Sequence, residues 1–400
     1  MEIVILGAGQ AAASLAAKLR ALGSEDAITI IGDESAPPYQ RPPLSKAYLL
    51  GEMPLERLTL RADGWWQEQG IRLLTGTRAE RIDPIAQMIE TTAGPIPYDR
   101  LALTLGASPR RLAADIGGDL EGVHCLRGLD DIERLRPELQ AGRNLVVIGG
   151  GYIGLEAAAV ARKLGLDVTV IEAAPRILGR VAAEQTADLI RALHHDHGVR
   201  IVEGAALAAL EGEAQVSSVR LTDGRILPAD LVILGIGIAP ETQLAEGAGL
   251  VIENGIACDA QGRSSDPAIW AAGDCASFPW QGRRIRLESV GNAIDMAELV
   301  AANMLGGDQD YAPKPWFWSD QYDAKLQIAG LNAGYDQTVF RPGDGPHTGS
   351  VWYYRAGQLI AVDALNDARA YMVGKRLIDS GRSADPVRVA DPATPVKDLM

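Results

Sequence analysis

Leu145-Val146-Val147-Ile148-Gly149-Gly150-Gly151-Tyr152-Ile153-Gly154 is the stretch that decides the fold of this chain. Four apolar residues of strand length run into a glycine-rich turn, and a segment with helical spacing follows to Leu164. A second apolar strand, Val168-Thr169-Val170-Ile171, then closes on Glu172. In a strand–turn–helix unit of this kind the first glycine, Gly149, permits the tight turn, and the second, Gly151, lets backbone amides approach a pyrophosphate. The third, Gly154, lets helix and strand pack closely, while the helix N-terminus turns its unpaired N–H groups toward the anion. The acid ending the second strand is placed to accept from ribose hydroxyls.

The unit has a counterpart at the start of the chain. Glu2-Ile3-Val4-Ile5-Leu6 leads into Gly7-Ala8-Gly9-Gln10-Ala11-Ala12 and a helix to Leu22, and Ala27-Ile28-Thr29-Ile30-Ile31 closes on Gly32-Asp33-Glu34. Gly7 and Gly9 take the first two roles, and Ala12 is small enough for the third. One such turn is weak evidence. Two complete units, each ending in an acid, point to a dinucleotide at each. Continuous apolar strands alternating with helices imply parallel sheets covered on both faces.

Further along, strand-like runs fill 71–109, a buried strand at 231–234 enters a glycine turn, and Ile269-Trp270-Ala271-Ala272-Gly273-Asp274 repeats the theme. The last quarter changes texture, with strand-like runs at 327–331, 350–354 and 359–362 and a helix over about 368–380. The expected fold class is α/β: two doubly wound, Rossmann-like nucleotide-binding domains plus a C-terminal α+β domain. Residues 1–109 and 234–310 are expected to form the first, discontinuous domain, 110–233 the inserted second, and 311–400 the last.

Four hundred residues exceed one ordinary core. A strand begins at the second residue, with no basic segment ahead of it, and no apolar run reaches the roughly 18 to 20 residues a spanning helix needs. The expectation is a soluble, cytoplasmic protein with no membrane partner. A formal charge of −14 repels phosphate backbones, so nucleic acid is not an expected partner either. Cys125, Cys258 and Cys275 lie too far apart for a disulfide framework or a thiolate metal site, and no metal is expected.

Six motifs in order carry a family resemblance beyond these points. They are the opening glycine turn; Pro42-Pro43-Leu44-Ser45-Lys46; Leu103-Thr104-Leu105-Gly106-Ala107-Ser108-Pro109-Arg110; Gly149 to Glu156; Ala271-Ala272-Gly273-Asp274-Cys275-Ala276; and Pro315-Trp316-Phe317-Trp318-Ser319-Asp320-Gln321-Tyr322. Together they resemble the putidaredoxin reductase type of ferredoxin and rubredoxin reductases, over essentially the whole chain. The resemblance implies FAD at the first unit and NADH at the second. It implies that Gly7, Gly9, Ala11, Ala12 and Asp33 hold the FAD pyrophosphate and ribose, with Lys46, Ala79, Arg127, Asp274 and Val290 also at that cofactor. Gly149, Gly151, Tyr152, Ile153, Gly154 and Glu172 would hold NADH. Lys46 and Glu156 are the implied catalytic pair, an ion pair at the flavin that stabilises developing negative charge. Trp318, with Trp316, would line the nicotinamide pocket or the exit path for electrons, with pocket lining ranked above an obligatory electron relay. The implied partner is a small iron–sulfur protein, a 2Fe-2S ferredoxin that feeds an oxygenase, with rubredoxin as the other acceptor.

Glu172 beside the adenosine ribose would repel a 2′-phosphate and so favours NADH, although Arg176 and Arg180 lie close by in sequence. Tyr152 reads either as a movable cover over the nicotinamide or as simple packing. His194, His195 and His197 read as one solvated helix face, and Arg283, Arg284 and Arg286 as either a docking patch for an acidic ferredoxin or a solvated loop. A disulfide reductase would need a cysteine pair near 40–50, where Tyr39 to Lys46 has none. An NADH oxidase-like or monodehydroascorbate-reducing enzyme shares the scaffold and is separated by acceptor preference. A flavoprotein interaction module of the apoptosis-inducing-factor kind would call for a basic surface.

Overall fold

The computed structural model describes residues 1–400, which divide into two compact units: Met1–Arg41, Pro54–Ser108 and Ile238–Pro315 in the first, and Pro42–Met53, Pro109–Gly237 and Trp316–Met400 in the second. The first is built on a five-stranded parallel sheet in the order Ile269–Ala271, Arg100–Leu103, Glu2–Leu6, Ala27–Ile31, Ile71–Leu74. Its strands are apolar almost throughout, as strands buried on both faces are: Ile3, Ile5, Leu101, Ala102 and Ile269 are fully buried. The first helix, Gln10–Ala21, packs a stripe of alanines against the helix Val290–Met304, whose N-terminus is capped by the Ser289 side chain accepting from the Asn292 amide. Small residues on the facing stripes allow this close approach. The chain between the strands Ile71–Leu74 and Arg100–Leu103 forms an antiparallel three-stranded sheet, Ala79–Asp83, Met88–Thr91 and Ile96–Pro97.

The second unit repeats the parallel design, in the order Arg200–Glu203, Asp167–Glu172, Asn144–Ile148, Leu231–Leu234, Val123–Cys125. A small antiparallel sheet interrupts it at Leu207–Gly212, Val216–Leu221 and Ile226–Pro228. The same unit holds a five-stranded, wholly antiparallel sheet in the order Trp316–Gln321, Ala324–Gly330, Gln358–Leu365, Gly349–Arg355, Gln337–Pro342, with the helix Ala368–Asp379 packed on it. Two of these strands, Trp316–Gln321 and Gln337–Pro342, have no counterpart among the runs read from sequence. In the latter an inward-facing charge breaks the alternation: Arg341 is buried, and its guanidinium donates to the carbonyls of Val389, Asp391 and Thr394, tying the tail to the sheet. No helix is long and apolar enough to cross a membrane.

Candidate functional site

The two glycine turns have the same construction. A Cβ on Gly7 would lie 2.3 Å from the Thr104 carbonyl oxygen, and one on Gly149 would lie 2.4 Å from that of Gly235. Both residues have positive φ, 97° and 106°, so side chains are excluded twice over. Around Gly9 and Gly151, in contrast, a Cβ would meet nothing within 4 Å. These are the N-cap residues of Gln10–Ala21 and Tyr152–Lys163, and no side chain caps either helix. Free helix N-terminal donors facing open space suit an anion, so both turns fit a dinucleotide pyrophosphate. The third positions serve packing: Ala12 is fully buried, and a Cβ on Gly154 would sit 2.3 Å from the Gly149 oxygen. Ala11 is buried beside Ala12, whereas Ile153 is half exposed at 49%.

The strand-end acids differ. Asp33 is exposed. Glu172 is pinned, one carboxylate oxygen accepting from the Gly150 amide and the other from the Ala174 amide, each at 2.7 Å. Negative charge is thus held at the turn itself. Arg176, the nearer arginine, donates to the Ala182 carbonyl at 2.7 Å.

Lys46 and Glu156, 110 positions apart, meet within the second unit with Nζ 3.0 Å from Oε1. Glu156 lies one turn into Tyr152–Lys163, on the face turned inward, and is 2% exposed; Lys46 follows the short helical turn Pro42–Ser45 and is 17% exposed. Ser45 donates to Glu156 Oε2 at 2.6 Å and Ser319 to Oε1 at 2.7 Å. Burial pushes the Glu156 carboxyl above the usual carboxylate range, while Lys46 and the two serines pull it back. Lys46 Nζ also stands 5.8 Å from the centre of the Trp318 ring, which stacks on Trp316 at 5.4 Å. The segment carrying Lys46 is held to the helix Leu129–Leu135 by Tyr48, whose hydroxyl donates to Glu133 at 2.6 Å. An ammonium, a buried carboxylate and a pair of indoles converge here, an arrangement that can steady a developing charge on a planar ligand.

The other expected positions fall as follows. Ala79 opens its small antiparallel sheet, Asp274 follows the strand Ile269–Ala271 across Gly273, and Val290 starts its helix; all three belong to the first unit. Arg127 belongs to the second, just ahead of Leu129–Leu135, its amide bonded to Asp131 at 3.0 Å. Tyr152 packs in a cluster with Leu155, Ile177, Leu326 and Ile328, its hydroxyl buried without a partner. Burial, with Asp363 and Tyr353 nearby, pushes its pKa well up.

Two sequence expectations are corrected. The histidines are not one solvated face: His194 is fully buried, and Nε2 lies 2.7 Å from Gln321 Oε1, while His195 stays exposed. His197 lies past the helix end and stacks on Tyr322 at 3.6 Å. Nor is the arginine run free for docking. Arg284 donates to the Cys258 and Ser277 carbonyls and pairs with Glu253. Arg286 pairs with Glu288 and donates to the Asp274 carbonyl, so only Arg283 stands exposed. Local backbone acceptors claim the run because it forms a hairpin strand, Arg283–Ile285. The residues sequence reasoning missed are Ser45, Ser319 and Gln321, all buried polar side chains. No group of three His, Cys, Asp or Glu side chains is arranged to hold a metal ion.

Comparison with known proteins shows the family. A family model described as pyridine nucleotide-disulphide oxidoreductase matches residues 1–297, and one described as reductase C-terminal matches 316–400. A ferredoxin–NAD(P)(+) reductase of a Sphingomonas species is 44% identical over 100% of this chain and 97% of its own. Putidaredoxin reductase of Pseudomonas putida is 39% identical over 100% and 96%. Among solved structures, that of the covalent putidaredoxin reductase–putidaredoxin complex matches with a TM-score of 0.95 at 40% identity, covering 100% of this chain and 97% of that one.

Proposed function

Because the chain belongs to the pyridine nucleotide-disulphide oxidoreductase family and ends in a reductase C-terminal domain, we infer that it is an FAD-containing, NADH-dependent ferredoxin reductase. It passes single electrons to a 2Fe-2S ferredoxin of an oxygenase system. Bound FAD supplies the conversion from a two-electron hydride donor to a one-electron acceptor.

The observation that carries this reading is the buried Lys46–Glu156 pair beside Trp318, in a segment without cysteine. A disulfide reductase would need a thiol pair there, whereas the chain's three cysteines are free and buried elsewhere. Lys46 supplies a fixed positive charge toward the flavin edge, and Glu156 orients it. Gly7, Gly9, Ala11, Ala12 and Asp33 would hold the FAD pyrophosphate and ribose, with Ala79, Arg127, Asp274 and Val290 at the rest of the cofactor. Gly149, Gly151, Gly154, Tyr152 and Ile153 would hold NADH, Trp318 would line the nicotinamide pocket, and Glu172 would turn away the 2′-phosphate of NADPH. In domain terms, 1–109 with 234–310 would bind FAD, 110–233 NADH, and 311–400 would shape the acceptor side. The setting proposed is the cytoplasm.

The test is acceptor preference. The purified yellow protein is mixed with NADH, and turnover is followed with a 2Fe-2S ferredoxin, a rubredoxin or oxygen alone. A strong acceleration by the ferredoxin, with little from oxygen, is expected. Turnover driven equally well by oxygen would move the assignment to an oxidase.

A further inference from the structure

Glu156 is the end point of a longer chain of buried polar groups. Its two oxygens take three donors: Lys46 Nζ and Ser319 Oγ on Oε1, and Ser45 Oγ on Oε2. A serine hydroxyl has a single proton. Ser319 commits that proton to Glu156, so Gln321 Nε2, 3.1 Å from Ser319 Oγ, must be the donor in that contact. The amide is thereby fixed with Oε1 toward His194 Nε2, 2.7 Å away, and the imidazole must carry its proton on Nε2. His194 Nδ1 is left as a bare acceptor, buried with no partner. Every hydrogen bond from His194 to Glu156 therefore points the same way.

We propose that His194, Gln321 and Ser319 are positioning residues for the Lys46–Glu156 pair, a one-way hydrogen-bond chain that holds the Glu156 carboxylate ionised and aimed at the lysine. The proposal rests on the reading of that pair as the charged groups beside the flavin. Three elements contribute: the helix Glu184–Asp196 brings His194, the strand Trp316–Gln321 brings Ser319 and Gln321, and Tyr152–Lys163 brings Glu156. Ser319 and Gln321 alternate inward on their strand, which is why two polar side chains two residues apart enter one core.

Apolar side chains of similar size at 194 and 321 would fill the same space without the cost of burying amide and imidazole. Polar types at both positions have a use if the last bond of the chain matters. The imidazole stays neutral, since burial pushes its pKa down to about 4. The titratable and charged groups facing the chain are Lys46 at one end and His197 and Tyr322 at the other, with Arg162 acting on Tyr322. Tyr322 remains protonated because burial raises its pKa. Above the His194 titration the chain is thus a fixed dipole directed at Glu156.

Two measurements test this. In 15N-histidine NMR of the holoenzyme, with the His194 signals assigned by their loss in His194→Gln, the neutral Nε2–H tautomer is expected across pH 5.5 to 8 (roughly the range above its titration). In rapid-mixing reduction of the flavin by NADH, Ser319→Ala, Gln321→Met and His194→Leu are expected to move the acidic limb of the pH profile upward. Ser319→Ala, which loses the hydrogen bond to the charge, should displace that limb by roughly one to two on the pH scale and the other two variants by less, with KM for NADH changed less than about twofold. His194→Gln, which keeps a donor where Nε2 stands, is expected to restore the wild-type limb. An Nδ1–H tautomer would overturn the proposal, as would an unshifted limb in Ser319→Ala and Gln321→Met that fold and bind FAD. Ser319→Ala decides the kinetic arm if His194→Leu does not fold. Protein that takes up no FAD would refute the flavin reading instead, and the tautomer measurement would still judge the chain.

Discussion

Replacing Lys46 with methionine leaves a stem of similar length and removes the charge that faces Glu156. The 2%-exposed carboxylate then has two routes. Staying charged without a partner costs about 3–5 kcal/mol. Taking up a proton at pH 7, against the ordinary value of 4.5, costs at most about 3.4 kcal/mol at 1.36 kcal/mol per pH unit. The second route sets the ceiling, so a loss of about 3 kcal/mol is expected at pH 7. The sign follows from the direction in which the pKa moves. Glu156 has a raised pKa in the folded chain, so its contribution is fully present below the unfolded value and is lost as pH rises through the folded value. Removing Lys46 raises the folded value further and extends that loss to higher pH.

At pH 5 the same ceiling is only about 0.7 kcal/mol. For a unit of this size 1 kcal/mol corresponds to about 2–4 °C in Tm, so Lys46→Met should lose about 6–12 °C at pH 7 and about 2 °C at pH 5. The assay is calorimetry of wild type, Lys46→Met and Lys46→Met/Glu156→Gln at saturating FAD, from pH 5 to 7.5. The double variant, with a neutral amide whose oxygen accepts from one of the two serines and whose NH2 donates to the other, should recover most of the loss. An equal drop at both pH values, or no recovery in the double variant, would refute the argument that desolvated charge is the cause.

His194 and Asp363 should impose opposing slopes on stability in the acid range. His194 has its pKa lowered from 6.5 to about 4, so stability present above 6.5 is lost as pH falls toward 4, by about 3 kcal/mol in all. Asp363, whose burial raises its pKa from 3.8 to about 6, adds stability below 3.8 that is lost as pH rises through about 6. Thermal scans of His194→Gln should therefore tilt toward greater acid stability, and those of Asp363→Asn toward steeper acid loss; parallel profiles would contradict both. The two later glycines of the second turn should separate fold from binding. Gly154→Ala clashes with backbone and should lower Tm by several degrees, while Gly151→Ala, with open space and an ordinary φ of −81°, should leave Tm unchanged and raise KM for NADH. Glu172→Arg should narrow the NADH preference in steady-state assays, and an unaltered ratio of kcat/KM would count against charge as the selector.

The parallel sheets were legible because both nucleotide units declare themselves locally: an apolar strand, a turn that tolerates no Cβ at Gly7 or Gly149, and a helix opening on unpaired amides. The antiparallel sheet was only partly legible. Its strands carry inward polar residues that spoil the alternation of apolar with polar: Arg341 donates to the tail, Gln321 to Ser319 and Ser319 to Glu156, while Asp363 accepts from Thr186 and Tyr353. Lys46 and Glu156 came from family resemblance alone, since nothing local to either residue signals a partner 110 positions away.

His194 is the instructive miss, because a signal for it did exist. Read as composition, His-His-Asp-His is a polar patch. Read at the helical period, Thr186, Ala187, Ile190, Leu193 and His194 form one buried stripe, with the imidazole in the place of an aliphatic side chain. A histidine in phase with the core must be neutral, hydrogen-bonded or both, for burying a charged imidazolium unpaired would cost too much. Its helical phase therefore already asked for a buried acceptor. Only the fold could supply Gln321, because the strand that carries it belongs to the last quarter of the chain.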